Sequence, residues 1–398
     1  MKSGFCQRVT LAFLCCLLTA HVQSASAQDE LKIGTWNIKF FYDADTSDNE
    51  SNLALEQSAP SSSEFSWRVR ATGDAIAEIN VNVLALQEIE NEEVVEDLAE
   101  YLEDEHDLDY DVVFVQGWDG YTEQDVAFLV DGSVEDVEYG RFPFSGFNQA
   151  YYKNISKHVS MDFTFNGERF HLINVHLITS LYKRKKQART LRAWIDSLPA
   201  DNNVVVLGDF NFGLRYNETT PQSEVGRIRG LQTDSEADDL VDLHKFLPWA
   251  KRRTHKNGRE LDRIMISQSL FDSTGMRFRW VDNLRGDVIR GDNVDGFRWN
   301  LPRSERDLSD HYPLVLTLEN SSSEEGSPVS PLAGPVEEGG QLERGFDLTP
   351  NSLGVADRGE LLRPRAGNSG SFTEAEIRRQ IERIERELEI LKRMLDDS

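Results

Sequence analysis

Six short polar segments hold most of the residues in this chain that are equipped for chemistry. They are Gly34-Thr35-Trp36-Asn37, Leu86-Gln87-Glu88, Asn174-Val175-His176, Gly208-Asp209-Phe210-Asn211, Leu261-Asp262-Arg263-Ile264 and Ser309-Asp310-His311. Nearly all stand at one end of an apolar run: Leu31 to Ile33, Val83 to Leu86, Phe170 to Val175, Val204 to Leu207. Such runs read as buried strands, and strand ends from several segments gather at one rim of paired sheets. That rim would hold carboxylates, carboxamides and two histidines together. Oxygen donors of this kind suit a hard cation, and acid and base groups beside it complete what phosphoester hydrolysis requires.

Taken singly, the residues say less. Asp209 ends the most apolar run, where an unpartnered carboxylate costs several kcal/mol, so it needs a cation, a proton or hydrogen-bond donors. Leu86-Gln87-Glu88 alone reads better as a surface glutamate opening a helix, and Asn37 alone reads equally well as a turn residue. His171 and His176 lie five positions apart in one strand, so a regular strand points them to opposite faces. With no comparable context, His158, His171, His244 and His255 read as surface or outer residues. No Cys/His cluster points to zinc and no glycine-rich loop to a nucleotide cofactor.

In order, with Gly-Asp-Phe-Asn and Ser-Asp-His intact, the six segments resemble the endonuclease/exonuclease/phosphatase superfamily, the fold of deoxyribonuclease I and the abasic-site endonucleases, over roughly Leu31 to Leu318. The resemblance implies an α/β (α+β) four-layer sandwich, two packed and mostly antiparallel sheets flanked by helices. It makes Glu88 the metal-binding glutamate, for Mg²⁺ or alternatively Mn²⁺ or Ca²⁺. Asn37 matches the asparagine of the metal and phosphate shell. Asp209 matches the aspartate that orients water or metal, and Asn211 the donor to phosphate. Asp310 faces metal and His311 is the general base, oriented by Asp262. His176 matches the phosphate-binding or general-acid histidine, with Glu123, ahead of Val126 to Val130, in the place of its carboxylate partner.

The fold hosts nucleases, phosphoinositide phosphatases and sphingomyelinases, so it names no substrate. In place of the Pro-Ser-Trp-Cys stretch of the inositol phosphatases this chain has Asn257-Gly258-Arg259-Glu260-Leu261. Trp118 with Tyr121, or Phe297 with Trp299, would serve as a lipid-entering aromatic hairpin, and core packing explains them equally. A nucleic-acid substrate fits best, because basic residues gather beside the expected site: Lys183, Arg184, Lys185 and Lys186, and Arg252 within Lys251 to Arg253. The alternatives are a phospholipid or inositol phosphoesterase, and a secreted binding protein without activity.

Elements to position these groups are legible along the chain. Strands are expected at Leu31 to Trp36, Val83 to Leu86, Val126 to Val130, Val204 to Leu207, Arg263 to Ile266 and Leu314 to Leu318. Phe163 to Phe165 and Phe170 to Val175 form a hairpin about Asn166-Gly167. Helices are expected at Trp67 to Ile79, Glu92 to Leu102 and Gln187 to Leu198, with Thr46 to Glu64 an exposed acidic loop.

The 398-residue chain carries 69 acidic and 43 basic side chains, a net charge of -26, which repels nucleic acid except where cations are concentrated. Lys2 and Arg8, the apolar stretch Val9 to Ala20 and Ala25-Ser26-Ala27 read as a signal peptide over 1–27, too short for a spanning helix, and so as a secreted or periplasmic protein. Cys6, Cys15 and Cys16 all lie within it, leaving the catalytic domain, 28–319, without thiols. Residues 320–371 read as a disordered linker, and 372–398 as an amphipathic, coiled-coil-like helix with a seam from Ile377 to Leu395, suited to self-association or a partner.

Overall fold

The computed structural model describes residues 30–140, 155–199, 202–213, 215–272, 275–284 and 299–321. The expected leader, C-terminal helix and all of the linker after residue 321 lie outside the described residues, as does Phe297.

One six-stranded sheet contains β1 (Glu30–Phe41), β2 (Val83–Ile89), β3 (Tyr110–Phe114), β4 (Asp125–Asp131), β11 (Met276–Asn283) and β12 (Leu314–Asn320), in the order β11-β12-β1-β2-β4-β3. The other contains β5 (Glu135–Gly140), β6 (His158–Phe165), β7 (Glu168–His176), β8 (Asn203–Asp209), β9 (Val241–Asp242) and β10 (Asp262–Ile266), in the order β5-β6-β7-β8-β10-β9. β1 with β2 and β7 with β8 run parallel; the remaining neighbours are antiparallel. A parallel pair needs a long crossover. Here α1 (Asn52–Gln57) and α2 (Ser62–Ile79) supply the first, and α4 (Leu181–Ile195) the second; α3 (Glu92–His106) follows β2.

Period-two alternation splits each central strand between two cores. Leu31, Ile33, Ala85, Phe170, Leu172, Val205, Leu207 and Ile264 fill the space between the sheets. Trp36, Leu84 and Leu86 face outward onto Val69, Ile76 and Leu98 of α2 and α3. Ile173, Val175, Val204 and Val206 face outward onto Leu191 and Trp194 of α4. These three cores separate four layers: α2 with α3, the two sheets, and α4. The hairpin turn takes φ of 52° at Asn166 and 78° at Gly167, as a tight two-residue turn demands. Among the described residues no helix is long and apolar enough to cross a membrane.

Three expectations are corrected. The segment from Thr46 to Glu64 is not all loop: Ser51 and Ser61 accept hydrogen bonds from Ala54 N and Glu64 N, capping α1 and α2. The basic run Lys183 to Lys186 lies on α4, which starts six residues earlier than the periodicity indicates. His158, His171 and His244 are core residues rather than surface ones, His171 with its Nδ1 2.5 Å from Asp162 Oδ1 on the outer face of its sheet.

Candidate active site

The last inner-facing residues of several strands meet at one rim. Asn37, His176 and Asp209 prolong the inward series of β1, β7 and β8, and Asp262 begins that of β10. Register sets them side by side, His176 opposite Asp209 and Asp209 opposite Asp262. Near the strand ends the backbone turns left-handed, with φ of 50° at Lys39, 47° at Phe40 and 65° at Glu88 within the last residues of β1 and β2, and 53° at Asn211 just after β8. Such strain at non-glycine residues persists only where the surroundings impose it. Arg68, buried on α2, holds the first two: its guanidinium donates to the carbonyls of Ile38, Lys39 and Phe40. The turn brings Phe40 N to 2.9 Å from Glu88 Oε2.

His311 is tied down from both sides. Ser309 Oγ donates to Asn37 O at 2.5 Å and accepts from His311 N at 3.0 Å. Its Nδ1 lies 2.9 Å from Asp262 Oδ2, while Nε2 points into the cavity, 3.8 Å from Asp209 Oδ2 and 3.9 Å from Asp310 Oδ1. Burial works against the imidazolium, but Asp262, Asp209 and Asp310 outweigh it and push His311 up to about 10. Burial also raises the Asp209 carboxyl, against the pull of His311. His176 behaves differently. Burial, with Lys157 and His311 nearby, holds it well below its ordinary value, so this ring is neutral. Its Nε2 lies 3.5 Å from Asp209 Oδ2 and 4.0 Å from Glu88 Oε1.

Asn37 Nδ2 bridges two carboxylates, Glu88 Oε1 at 3.0 Å and Asp209 Oδ2 at 3.1 Å. Asn211 folds back, its N–H donating to Asp209 Oδ1 at 2.7 Å and its Nδ2 to Leu177 O at 2.9 Å. Asp310 receives Lys39 Nζ at 2.6 Å, with His255 Nε2 at 3.5 Å. Despite its burial, His255, His311 and Lys39 hold the Asp310 carboxyl well below the usual carboxylate range. Glu88, His176, Asp209, Asp310 and His311 line one cavity of about 800 Å³. Close sets of ligand atoms are formed by Glu88, His176 and Asp209, by Asp209, Asp262 and His311, and by His255, Asp310 and His311. Glu88 and Asp310 thus share the cavity but not a set. An oxygen-rich donor set in which buried Asp209 lacks full charge compensation fits a hard divalent cation.

The sequence pattern of the Endonuclease/Exonuclease/phosphatase family matches residues 34–311, from the first of the six polar segments to the last. The chain belongs to that family. Solved structures similar to it include humanized D. rerio TDP2 at 19% identity, covering 73% of this chain and 100% of that one, with a TM-score of 0.45. Truncated Caenorhabditis elegans TDP2 follows at 16% identity, 73% and 98% coverage and a TM-score of 0.43. A family member from Bacteroides vulgatus has 17% identity, 74% and 100% coverage and a TM-score of 0.45. No curated protein matches.

Within the family frame, several expected site residues stand elsewhere. Glu123 is not the partner of His176. With φ of 50° it turns outward and accepts from Glu50 N and Ser51 N at the start of α1. Among the described residues, His176 Nδ1 has no hydrogen-bond partner. Arg184 falls on the buried stripe of α4 with Gln187, Ala188 and Leu191, pairs with Glu224 at 3.2 Å and donates to Thr179 O at 2.6 Å. Arg252 donates to Leu247 O at 3.0 Å and Lys245 O at 3.1 Å, and Lys251 pairs with Asp282 at 2.6 Å. Lys185 and Lys186 are exposed but outside the cavity wall, which Lys183 reaches. Sequence reasoning missed Lys39, Gln124, Lys157, His255 and Arg259, all in that wall. Only Gln124, beside Glu123, carried a local signal.

Proposed function

We propose that the protein is a secreted nuclease, hydrolysing nucleic-acid phosphodiesters with a bound divalent cation, Mg²⁺ foremost. The observation that carries this reading is the buried Asp262–His311 pair, 2.9 Å apart, opening onto the cavity that also holds Glu88, His176 and Asp209. A cation held by Glu88, which Asn37 braces, with Asp310 elsewhere in the same cavity wall, would stabilise charge on the phosphoryl oxygens and acidify water. The chain's own groups do the rest. With a cation balancing the carboxylates, the imidazolium is no longer needed there, and His311 Nε2 is free to take a proton from water. Asp262 keeps Nδ1 protonated and the ring aimed. Neutral His176 donates a hydrogen bond from Nε2 to a phosphoryl oxygen, and would act as the acid for the leaving group only after taking a proton as the anionic substrate binds. Asp209, fixed by Asn37 and Asn211, orients the water.

The test is incubation of the purified protein with plasmid, single strands, RNA, a phosphomonoester and phospholipid vesicles, with Mg²⁺ or a chelator. Nicked or shortened nucleic acid in Mg²⁺ alone supports the reading. Glu88→Gln should raise the Mg²⁺ concentration for half-maximal rate about 10-fold or more, since it removes an anionic ligand. Cleavage unaffected by chelator overturns the mechanism. A second reading, a phospholipid phosphodiesterase, is favoured by Trp118 and Tyr121, 46% and 80% exposed in the cavity wall. Hydrolysis confined to the vesicles would establish it instead.

Cation placement gives a sharper prediction for substrate binding. Lys183 and Arg259 are exposed in the cavity wall, whereas Arg184 and Arg252 are consumed by internal partners. Lys183→Ser and Arg259→Ser should each raise KM for polynucleotide and lower the salt slope of binding by about 1. Lys185→Ser and Lys186→Ser should do neither. Equal effects of all four would mean a diffuse field rather than a phosphate path.

A further inference from the structure

Glu88 has an outer support that the family motif does not include. Lys157, 7% exposed, uses the three N–H bonds of its ammonium on Thr122 Oγ1 at 2.7 Å, Gln124 Oε1 at 2.9 Å and Asp119 Oδ2 at 2.9 Å. An amide can be turned either way, but an ammonium only donates, so it must face the oxygen of Gln124. The amide nitrogen then has one direction left. Gln124 Nε2 donates to Glu88 Oε2 at 2.9 Å. That oxygen also receives Phe40 N at 2.9 Å and is saturated, whereas Oε1 receives Asn37 Nδ2 at 3.0 Å and faces the cavity beside Asp209 and His176.

We propose that Lys157 and Gln124 are positioning residues for the cation site, a relay in which the buried ammonium fixes the amide and the amide turns Glu88 so that Oε1 is offered to the metal. The inference rests on the metal-dependent reading above and goes beyond it in assigning two residues outside the six segments. Glu88 sits at φ of 65°, so its backbone does not place the carboxylate by strand geometry, and an outer brace does that work. Partners of this kind commonly govern metal affinity about 10–100-fold. The relay also explains why a lysine is buried beside the site, since pairing with Asp119 and two oxygens satisfies every proton it carries.

The experiment is titration of the full chain with Mn²⁺, read as free Mn²⁺ by electron paramagnetic resonance at pH 8, beside thermal melting of each variant. Gln124→Glu keeps an acceptor for Lys157 but turns an acceptor, not a donor, towards Glu88 Oε2. It should melt near the wild type and lose about 10-fold or more in Mn²⁺ affinity. Gln124→Met, which fills the same space without polar atoms, should show a similar loss. Lys157→Met should lose affinity too, and combined with Gln124→Met should add little further, because both act through one hydrogen bond. Wild-type or tighter Mn²⁺ binding by Gln124→Glu, or full additivity in the double variant, overturns the relay. A wild-type protein that binds no Mn²⁺ removes the metal-dependent reading itself.

Discussion

Replacing His311 by alanine should lower kcat on nucleic acid by about 10²–10⁴ while leaving Mn²⁺ affinity within a few-fold of the wild type. The split follows from geometry. His311 Nδ1 is taken by Asp262 at 2.9 Å, and its Nε2 stands 3.8 Å and 3.9 Å from carboxylate oxygens, too far to hydrogen-bond them, and lines the cavity. Removing the ring therefore removes a proton acceptor without dismantling Glu88 or Asn37, which are held by Phe40, Gln124 and Asp209. Asp262→Asn should produce a comparable fall by freeing Nδ1 from a carboxylate and leaving the ring in the wrong tautomer. Single-turnover rates at saturating Mg²⁺ give the measurement. A His311→Ala protein with full activity would sink the proposed mechanism.

Gly208→Ala should lower stability by about 2–5 kcal/mol and the melting temperature by roughly 5–15 °C, with activity lost alongside. Gly208 has φ of 128°, and a Cβ there would stand 2.0 Å from Val175 O. The obstacle is backbone, so no rotamer change relieves it. β7 and β8 must separate where His176 faces Asp209, and the two side chains cannot then keep their 3.5 Å approach. Calorimetry of both proteins decides it, and an unchanged melting temperature would refute the clash. The glycine of Gly208-Asp209-Phe210-Asn211 is thus demanded by close strand approach just before the aspartate it delivers.

Much of this architecture is readable from the chain because strand signals are local. The run Val204 to Leu207 is apolar throughout, both faces being covered, one by the opposite sheet and one by α4. β5, by contrast, is acidic and almost wholly exposed, and β9 has two residues, so neither leaves a pattern. The errors at the site have the same origin. A left-handed residue at Glu123 shifts the inward position by one and makes Gln124, not the glutamate, the neighbour of Glu88. Arg184 looks like its basic neighbours until helical spacing puts it on the buried face. His255 reaches the site through a lone bridge to His311 between two loops, which no periodicity announces.

The sequence by itself determined the apolar central strands and the order in which Asn37, Glu88, His176, Asp209, Asp262 and His311 arrive at strand ends, since an apolar run is a local property of each segment. Which of them meet was decided only in the folded chain. Asp262 finds His311 across 49 positions, and Asn37 finds Asp209 across 172. Those contacts depend on two sheets packing in one register and on turns with positive φ, where a single residue redirects a side chain. The charges follow the same division: the sequence supplies the acids and bases, but burial and proximity raise His311 and lower His176, and both exist only once the rim has closed.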